Sequence, residues 1–413
     1  MKPHTLWRHR DFLLLWTGQT ISVFGSQFTH LAVPLIAAMI LKASPAQMGI
    51  LSAVVTAPFL LIGLFAGVWV DRWPRRPVLI TGNVGRALVL SAIPIAYLAD
   101  ALSMPLLYTV GFLTGVLTVF FDVAYQAYLP SLVGRAHLVE GNSKLEASRS
   151  TAQIAGPGLA GVVVQIVSAP MAIVFDALSF LVSGLFIGLI RQLEPAPESV
   201  RAPMLGEIRE GLAVVFGNPM LRAIAGCTGT SNFFASVAGA LYILFVTREL
   251  GMKPVAIGAV FSLGSLGALA GVLLAGSLAR RLGIGRVIVA APLISGLGFV
   301  PVVLATPALA VPLLTLGALV SSFGYPIYNI SQVSLRQAIT PHRLQGRMNA
   351  TMRFLVWGTM PLGALAGGAL GQVLGLRPTI AIAAAGAALA FVWVWRSPVR
   401  ALRQIPEPPG PAD

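Results

Sequence analysis

Charge and cysteine are what this sequence has least of. Only 10% of its 413 residues are charged, while 56% are hydrophobic, a balance that no soluble globule of this size needs. Cys227 is the only cysteine, which excludes an intrachain disulfide and a cysteine-built metal cluster. No G-x-x-x-x-G-K-[ST] loop occurs, and no polar stretch is long enough to form a nucleotide-hydrolysing domain, so ATP-driven work is not expected. The sequence suggests no enzyme, no cofactor and no bound metal. Its net charge of +14 would suit nucleic acid, but the basic residues sit in short loops. They form no continuous face of the kind that binds a phosphate backbone.

Long apolar runs fill the space that charge leaves. Phe12 to Leu41, Ala43 to Val70, Ala223 to Thr247 and Pro254 to Ala279 are free of charge. Each exceeds the ~20 apolar residues that cross a ~30 Å hydrocarbon layer. Such segments are helices, because lipid offers no partner to an unpaired backbone amide. The first eleven residues carry Lys2, Arg8, Arg10 and Asp11, and the run after them is too long for a signal-peptide core. It reads as an uncleaved first span.

Twelve spans emerge, at 12–41, 47–70, 77–99, 104–129, 145–168, 171–191, 223–248, 254–279, 286–305, 310–335, 346–374 and 378–395. With the N-terminus inside, 23 of the 28 Lys and Arg fall at inner ends or loops, 4 fall outside and Arg86 lies within a span. That bias predicts a multi-pass protein of a bacterial inner membrane with both termini cytoplasmic. Between the sixth and seventh spans, Leu205, Ile208, Leu212 and Val215 recur at helical spacing opposite Glu207, Arg209 and Glu210. This predicts a short amphipathic helix on the inner membrane surface.

The two halves repeat. Pro45, Gly49, Gly67 and Asp71 recur as Pro254, Gly258, Gly276 and Arg280, each offset by 209. Arg149 and Pro157 are eight apart, as are Arg353 and Pro361. We therefore expect an all-α membrane protein with 12 transmembrane helices in two pseudo-symmetric six-helix bundles. Residues 1–191 form the first bundle, 192–222 a cytoplasmic linker with the amphipathic helix, and 223–396 the second bundle. Residues 397–413 form a disordered cytoplasmic tail, Pro-rich from Pro406. Duplicated halves are a transporter architecture, with the substrate site at the repeat interface near mid-membrane.

Polar stripes on the first, fourth, seventh and tenth spans mark the candidate substrate contacts. The first carries Gln19, Ser22, Ser26 and His30, with Gln27 beside them, and the fourth carries Thr118, Asp122, Tyr125 and Gln126. The seventh carries Thr228, Ser231, Asn232 and Phe233; the tenth carries Ser321, Tyr325, Tyr328, Asn329 and Gln332. Polar side chains also glue transmembrane helices together, so each residue has a plain packing alternative. Aromatic groups mixed with neutral polar ones suit a small amphipathic molecule better than a sugar or nucleotide. A charge inside the membrane is rarer, and an ionised carboxylate there is costly enough to invite a proton. Asp122 leads the proton-coupling candidates, with Glu146, Arg149, Asp176 and His30 behind it. A fixed ion pair of Asp122 with Arg86 or Arg149 is the structural alternative.

Several motifs carry a family resemblance. Gly67-Val-Trp-Val-Asp71-Arg72-Trp-Pro-Arg75-Arg76 resembles the signature loop of the major facilitator superfamily. The resemblance implies close packing at the Gly, contact of the Asp with the start of the eleventh span, and a conformational charge network made with the basic residues. Gly156-Pro157-Gly158 with Gly161 is similar to the superfamily's antiporter motif in the fifth span. Arg10-Asp11-Phe12, Trp16, Gly18, Ser22, Leu129-Pro130, Val133, Asn142, Asp176-Ala-Leu-Ser179-Phe180 and Gln345-Gly346-Arg347 resemble the branch of macrolide-efflux proteins and the enterobactin exporter. One departure stands out. Many drug/proton antiporters carry an Arg within the fourth span, and Leu106 to Leu129 has none; Asp122 with Arg149 is the candidate substitute.

The resemblance implies a proton-driven exporter of small amphipathic molecules, acting as a monomer among membrane lipids. A siderophore or metabolite exporter, a solute:proton symporter and a non-transporting scaffold are the alternatives.

Overall fold

The computed structural model describes residues 6–70, 72–134, 137–192 and 204–406. Among them every regular element is helical. The helices are α1 (Arg10–Ile40), α2 (Pro45–Leu61, continued as Gly63–Val70), α3 (Arg75–Leu98), α4 (Met104–Val133), α5 (Leu138–Val167) and α6 (Ala169–Gly188). They continue as α7 (Pro219–Glu249), α8 (Pro254–Leu282), α9 (Ile284–Leu304), α10 (Pro307–Ile339), α11 (Gln345–Leu374) and α12 (Leu376–Trp395). Eleven are each long and apolar enough to cross a membrane, and the two segments of α2 make the twelfth.

Local chemistry sets the ends. His9 Nδ1 accepts from Phe12 N at 3.1 Å to cap α1. Ser44 and Gln47 satisfy each other's backbone amides at 2.8 and 3.2 Å, a reciprocal cap at the start of α2. Asn218 Oδ1 takes the amides of Met220 and Leu221 at the head of α7. Several helices outrun the apolar stretch that predicts them. α5 begins at Leu138 rather than at 145, and α10 ends at Ile339 rather than at 335. Hydropathy marks where lipid begins, whereas the backbone ladder continues through polar turns beyond it.

Contacts divide the chain into two compact units. One comprises Met1–Ala43, Val54–Val200 and Lys253–Ser262; the other comprises Ser44–Ala53, Arg201–Met252 and Leu263–Asp413. The halves of the sequence thus account for most of each unit, and the starts of α2 and α8 exchange places. Within the first unit α1 packs on α5 and α6, and α3 packs on α4 and α6. Within the second, α7 packs on α11 and α12, and α9 packs on α10 and α12. The four pairings are the same in both copies. A turn of π-helix interrupts α1 at Ile36–Ile40 and α7 at Phe245–Glu249, again 209 positions apart.

Between α6 and α7 in the sequence runs a helix at Met204–Gly217. It is docked more firmly than a membrane-surface helix would be. Val215 is fully buried with Met348 and Met352, and Arg347 pairs with Glu210. The tail also differs from expectation. Pro398–Ala401 make a 3-10 turn capped by Ser397, Val399 is fully buried, and the Leu402 carbonyl accepts from Gly285 N at 2.9 Å. An apolar side chain and two carbonyls with partners on α9 hold this stretch, so no unstructured tail begins at 397. Residues 407–413, and 193–203 of the linker, lie outside the described residues.

Candidate functional site

One charge cluster stands out in the first unit, with Arg86 and Asp176 buried and Asp122 half-buried. Arg86 on α3, Asp122 on α4 and Asp176 on α6 each lie in the middle third of their helix. Arg86 is 5% exposed and Asp176 1%. The Arg86 guanidinium is sandwiched between two rings, with its centre 4.2 Å from the centroid of Phe121 and 4.1 Å from that of Phe180. It donates to Asn83 Oδ1 at 2.6 Å and to the Gly82 carbonyl at 3.3 Å, and Asn83 Nδ2 donates to Ser183 Oγ at 3.1 Å. Arg86 interacts electrostatically with both Asp122 and Asp176. Asp176 Oδ1 accepts from Ser179 Oγ at 3.3 Å and, at the long limit of 3.5 Å, from Ser26 Oγ on α1. Phe121 also stacks on Tyr125, ring centroids 6.0 Å apart.

The other proton candidates behave differently. Glu146, Arg149 and His30 are exposed, and Arg149 forms no ion pair among the described residues. Of the two arginines expected near Asp122, Arg86 interacts with it electrostatically.

Polar stripes survive in part. Gln19 and Ser22 are buried on α1, and the Gln19 amide nitrogen has no hydrogen-bond partner among the described residues. Gln27 lies against Gly156 of α5, and Gln126 is exposed. In the second unit Asn232 Nδ2 donates to the Val356 carbonyl at 3.3 Å, and Phe233 meets Phe234 edge to face. The stripe on α10 does not stay on one surface. Tyr325 is 61% exposed and Asn329 is exposed, whereas Tyr328 is 5% and Gln332 3% exposed. Tyr328 OH bonds Thr228 Oγ1 at 2.7 Å inside an apolar core with Ile224 and Ile327. Gln332 Nε2 donates to Asn329 Oδ1 at 3.1 Å. Helical spacing puts these four side chains near one another but does not say which of them the bundle covers.

Of the signature loop, Asp71 lies outside the described residues, and Gly67 continues the second segment of α2. Arg72 is exposed and Arg75 half-buried. Arg76 binds backbone: its Nε donates to the Ile187 carbonyl at 3.2 Å, and Nη2 donates to that of Gly188. A cation thus closes the C-terminus of α6, where the helix dipole is negative. The Gly-Pro motif of α5 meets the start of α8. Gly158 N donates to Ser262 Oγ at 2.8 Å. A Cβ on Gly161 would stand 2.7 Å from the Pro254 carbonyl oxygen, and one on Gly258 would stand 2.3 Å from that of Pro157. Backbones approach this closely only where no side chain intervenes. The second unit repeats the device, since a Cβ on Gly49 would stand 2.6 Å from Gly368 Cα.

The sequence matches the pattern of the Major Facilitator Superfamily over residues 15–358, with a second match over 224–413. The chain belongs to that superfamily. It is 30% identical over 345 residues to the multidrug efflux pump Tap of Mycolicibacterium fortuitum, covering 78% of this chain and 80% of Tap. It is 24% identical over 227 residues to macrolide efflux protein A of Streptococcus pyogenes, covering 54% and 55%. A crystal structure of a bacterial homologue of the iron transporter ferroportin superposes with a TM-score of 0.77 at 19% identity, covering 95% of this chain and 99% of that one. The nucleoside transporter NupG does so with a TM-score of 0.75 at 13% identity, covering 94% and 99%. These two likenesses show the fold. Family and fold are those of membrane transporters, and the chain is a multi-pass major facilitator protein.

For this superfamily member the residues that sequence reasoning passed over are Asn83, Phe121, Phe180 and Ser183, which hold Arg86. The available signal was Arg86 itself, a basic residue deep inside a span. Among the described residues no group of three or more His, Cys, Asp or Glu is placed to hold a metal.

Proposed function

We propose that this protein is a secondary-active exporter of small amphipathic molecules, working by alternating access and driven by proton antiport. In this reading it acts as a monomer in the lipid of a bacterial inner membrane, with both termini cytoplasmic. The observation that carries the reading is the cluster of Arg86 and Asp176, both buried, with the half-buried Asp122. Charges in the middle of a lipid-embedded bundle are expensive and are retained where ions or protons move. Aromatic and neutral polar groups on α1, α4, α7 and α10 supply the mixture that orients an amphipathic ligand, Tyr125, Asn232, Phe233, Tyr325 and Asn329 among them. The efflux activities named for Tap and for macrolide efflux protein A support the same direction of transport.

Dye retention in cells of a pump-deleted host tests the proposal. Cells expressing the protein are expected to hold less of an amphipathic fluorescent dye, and a protonophore is expected to abolish the difference. Equal retention with and without the protein, or a difference untouched by the protonophore, would sink the reading.

A further inference from the structure

α3 and α4 enclose a recess beside the signature loop. Its volume is about 410 Å3, and Trp73, Pro74, Pro77, Val78, Leu117 and Phe120 line it. Thr81 adds the one hydroxyl of the lining, and that hydroxyl already donates to the carbonyls of Pro77 at 2.9 Å and Val78 at 3.2 Å. A bound water needs two to four polar partners, so these walls do not retain water. Nor does the recess belong to the polar stripe of α4. With 3.6 residues per turn, Phe120 stands about 140–160° around that helix from Thr118, Asp122 and Tyr125. Among helices that span a membrane, the filler left for such a space is hydrocarbon, since an empty one forfeits dispersion contacts along its walls.

One edge of the recess is aromatic and basic. The Phe120 ring stacks on Trp69, centroids 5.8 Å apart, and on Trp73 at 6.2 Å; Phe65 meets Trp69 at 6.3 Å. Phe65, Trp69 and Trp73 are exposed. Arg72 lies in the turn between the two indoles, its N bonded to the Trp69 carbonyl at 3.1 Å, while Trp73 N bonds that of Val70 at 3.2 Å. The Arg72 side chain is exposed and makes no ion pair among the described residues, and the Trp73 indole N–H has no acceptor among them. Asp71, Arg72, Arg75 and Arg76 give the turn three positive charges and one negative. The second copy of the fold does without this edge. At the loop's offset of 209, Leu278 and Leu282 stand for Trp69 and Trp73. α4 and α10 have their long α-helical segments starting at Met104 and Ala310, 206 apart, which puts Pro326 at the place of Phe120. The shared scaffold therefore does not require the aromatic rings.

We propose that this recess is a binding site for an anionic phospholipid, with one acyl chain against Phe120 and Trp73 and the headgroup phosphate beside the Arg72 guanidinium. Hydrocarbon alone gives no preference, because every lipid brings it and the bilayer is as apolar as the recess. Selectivity comes from charge: a guanidinium pairs well with phosphate, and a net-positive turn favours a lipid whose phosphate no amine of its own neutralises. Indoles at the same level suit the boundary between chain and headgroup, one end apolar and the other wet. The leaflet follows from the topology proposed above, in which the turn between α2 and α3 is cytoplasmic. The site itself needs no particular cargo or direction of transport.

The test is tryptophan fluorescence quenching of the full-length protein in phosphatidylcholine vesicles. A minor fraction of the lipid is chain-brominated phosphatidylglycerol in one series and chain-brominated phosphatidylcholine in the other. Bromine quenches an indole only at close contact, so Trp69 and Trp73 report the occupant. Wild type is expected to reach half-quenching at about fivefold lower mole fraction of the anionic lipid, the preference that one basic residue contributes at an anionic surface. Arg72→Gln should bring the two lipids level. Thr81→Phe, which fills the recess and leaves the charges in place, should weaken quenching by both lipids. Trp69→Phe/Trp73→Phe should abolish the preference, since the two reporters are gone. Equal quenching by the two lipids in wild type overturns the proposal. So does a preference that survives Arg72→Gln or the double tryptophan variant, or one that stays at full strength in folded Thr81→Phe. Quenching is read without transport, so the exporter reading can fail while the lipid site stands.

Discussion

The two halves of the chain build the same helix pairings from different chemistry. In the first, Arg86, Asp122 and Asp176 place three charges within spanning helices; in the second, Ser295, Tyr328 and Ala383, at offsets of 209, 206 and 207, carry none. Tyr328 closes its site with a hydrogen bond to Thr228 and an apolar surround, and Ala383 packs with Val237 and Ala238. One copy thus carries three charges at positions where the other carries none. The glycine contacts teach the opposite lesson. Gly161 against Gly258 and Gly49 against Gly368 recur in both units, so close backbone approach belongs to the shared architecture and charge to the specialised half.

Placing a charge where the second copy has none should have the largest effect. Ala383→Asp puts a carboxylate among Val237 and Ala238 with no guanidinium in the corresponding place, at a cost of about 3–5 kcal/mol. Detergent-solubilised protein should yield little folded material by size-exclusion chromatography. Wild-type yield would show that the second bundle tolerates charge and would erase the contrast between the halves.

The shared glycine contacts come next. Gly161→Val and Gly368→Val each force a side chain against backbone, near Pro254 O in one case and Gly49 Cα in the other. Each is expected to lose about 1–3 kcal/mol, read as a lower melting temperature of similar size in both. A loss confined to one copy would break the symmetry argued here.

Tyr328→Phe is the mildest change. It removes the hydroxyl bonded to Thr228 and should cost about 1 kcal/mol of stability, with proton-driven transport retained. Loss of transport at unchanged stability would move Tyr328 from the scaffold to the working site.

Much of this was legible in the sequence, for identifiable reasons. Lipid forces every spanning segment into a helix, so charge-free runs such as Pro254 to Ala279 announce α8 directly. The offset of 209 between Pro45 and Pro254 carries through to the paired π-turns at Ile36 and Phe245. The cluster was harder to see. Arg86, Asp122 and Asp176 lie on three helices, and no periodicity links residues on separate helices. Tyr328 and Gln332 look like cavity residues by spacing, yet the bundle covers them, because spacing reports a shared face and not what that face meets. Arg76 caps α6 through backbone carbonyls, which leave no mark in a side-chain pattern.

Transport in reconstituted vesicles tests the central claim most directly. Dye accumulation would be followed in proteoliposomes under an imposed proton gradient for wild type, Asp176→Asn and Tyr328→Phe, alongside passive dye exchange without a gradient. The account predicts that wild type and Tyr328→Phe accumulate dye and that a protonophore collapses it. Asp176→Asn should exchange dye passively and accumulate none. Gradient-driven accumulation by folded Asp176→Asn at the wild-type rate would contradict the assignment of proton coupling to the charged half.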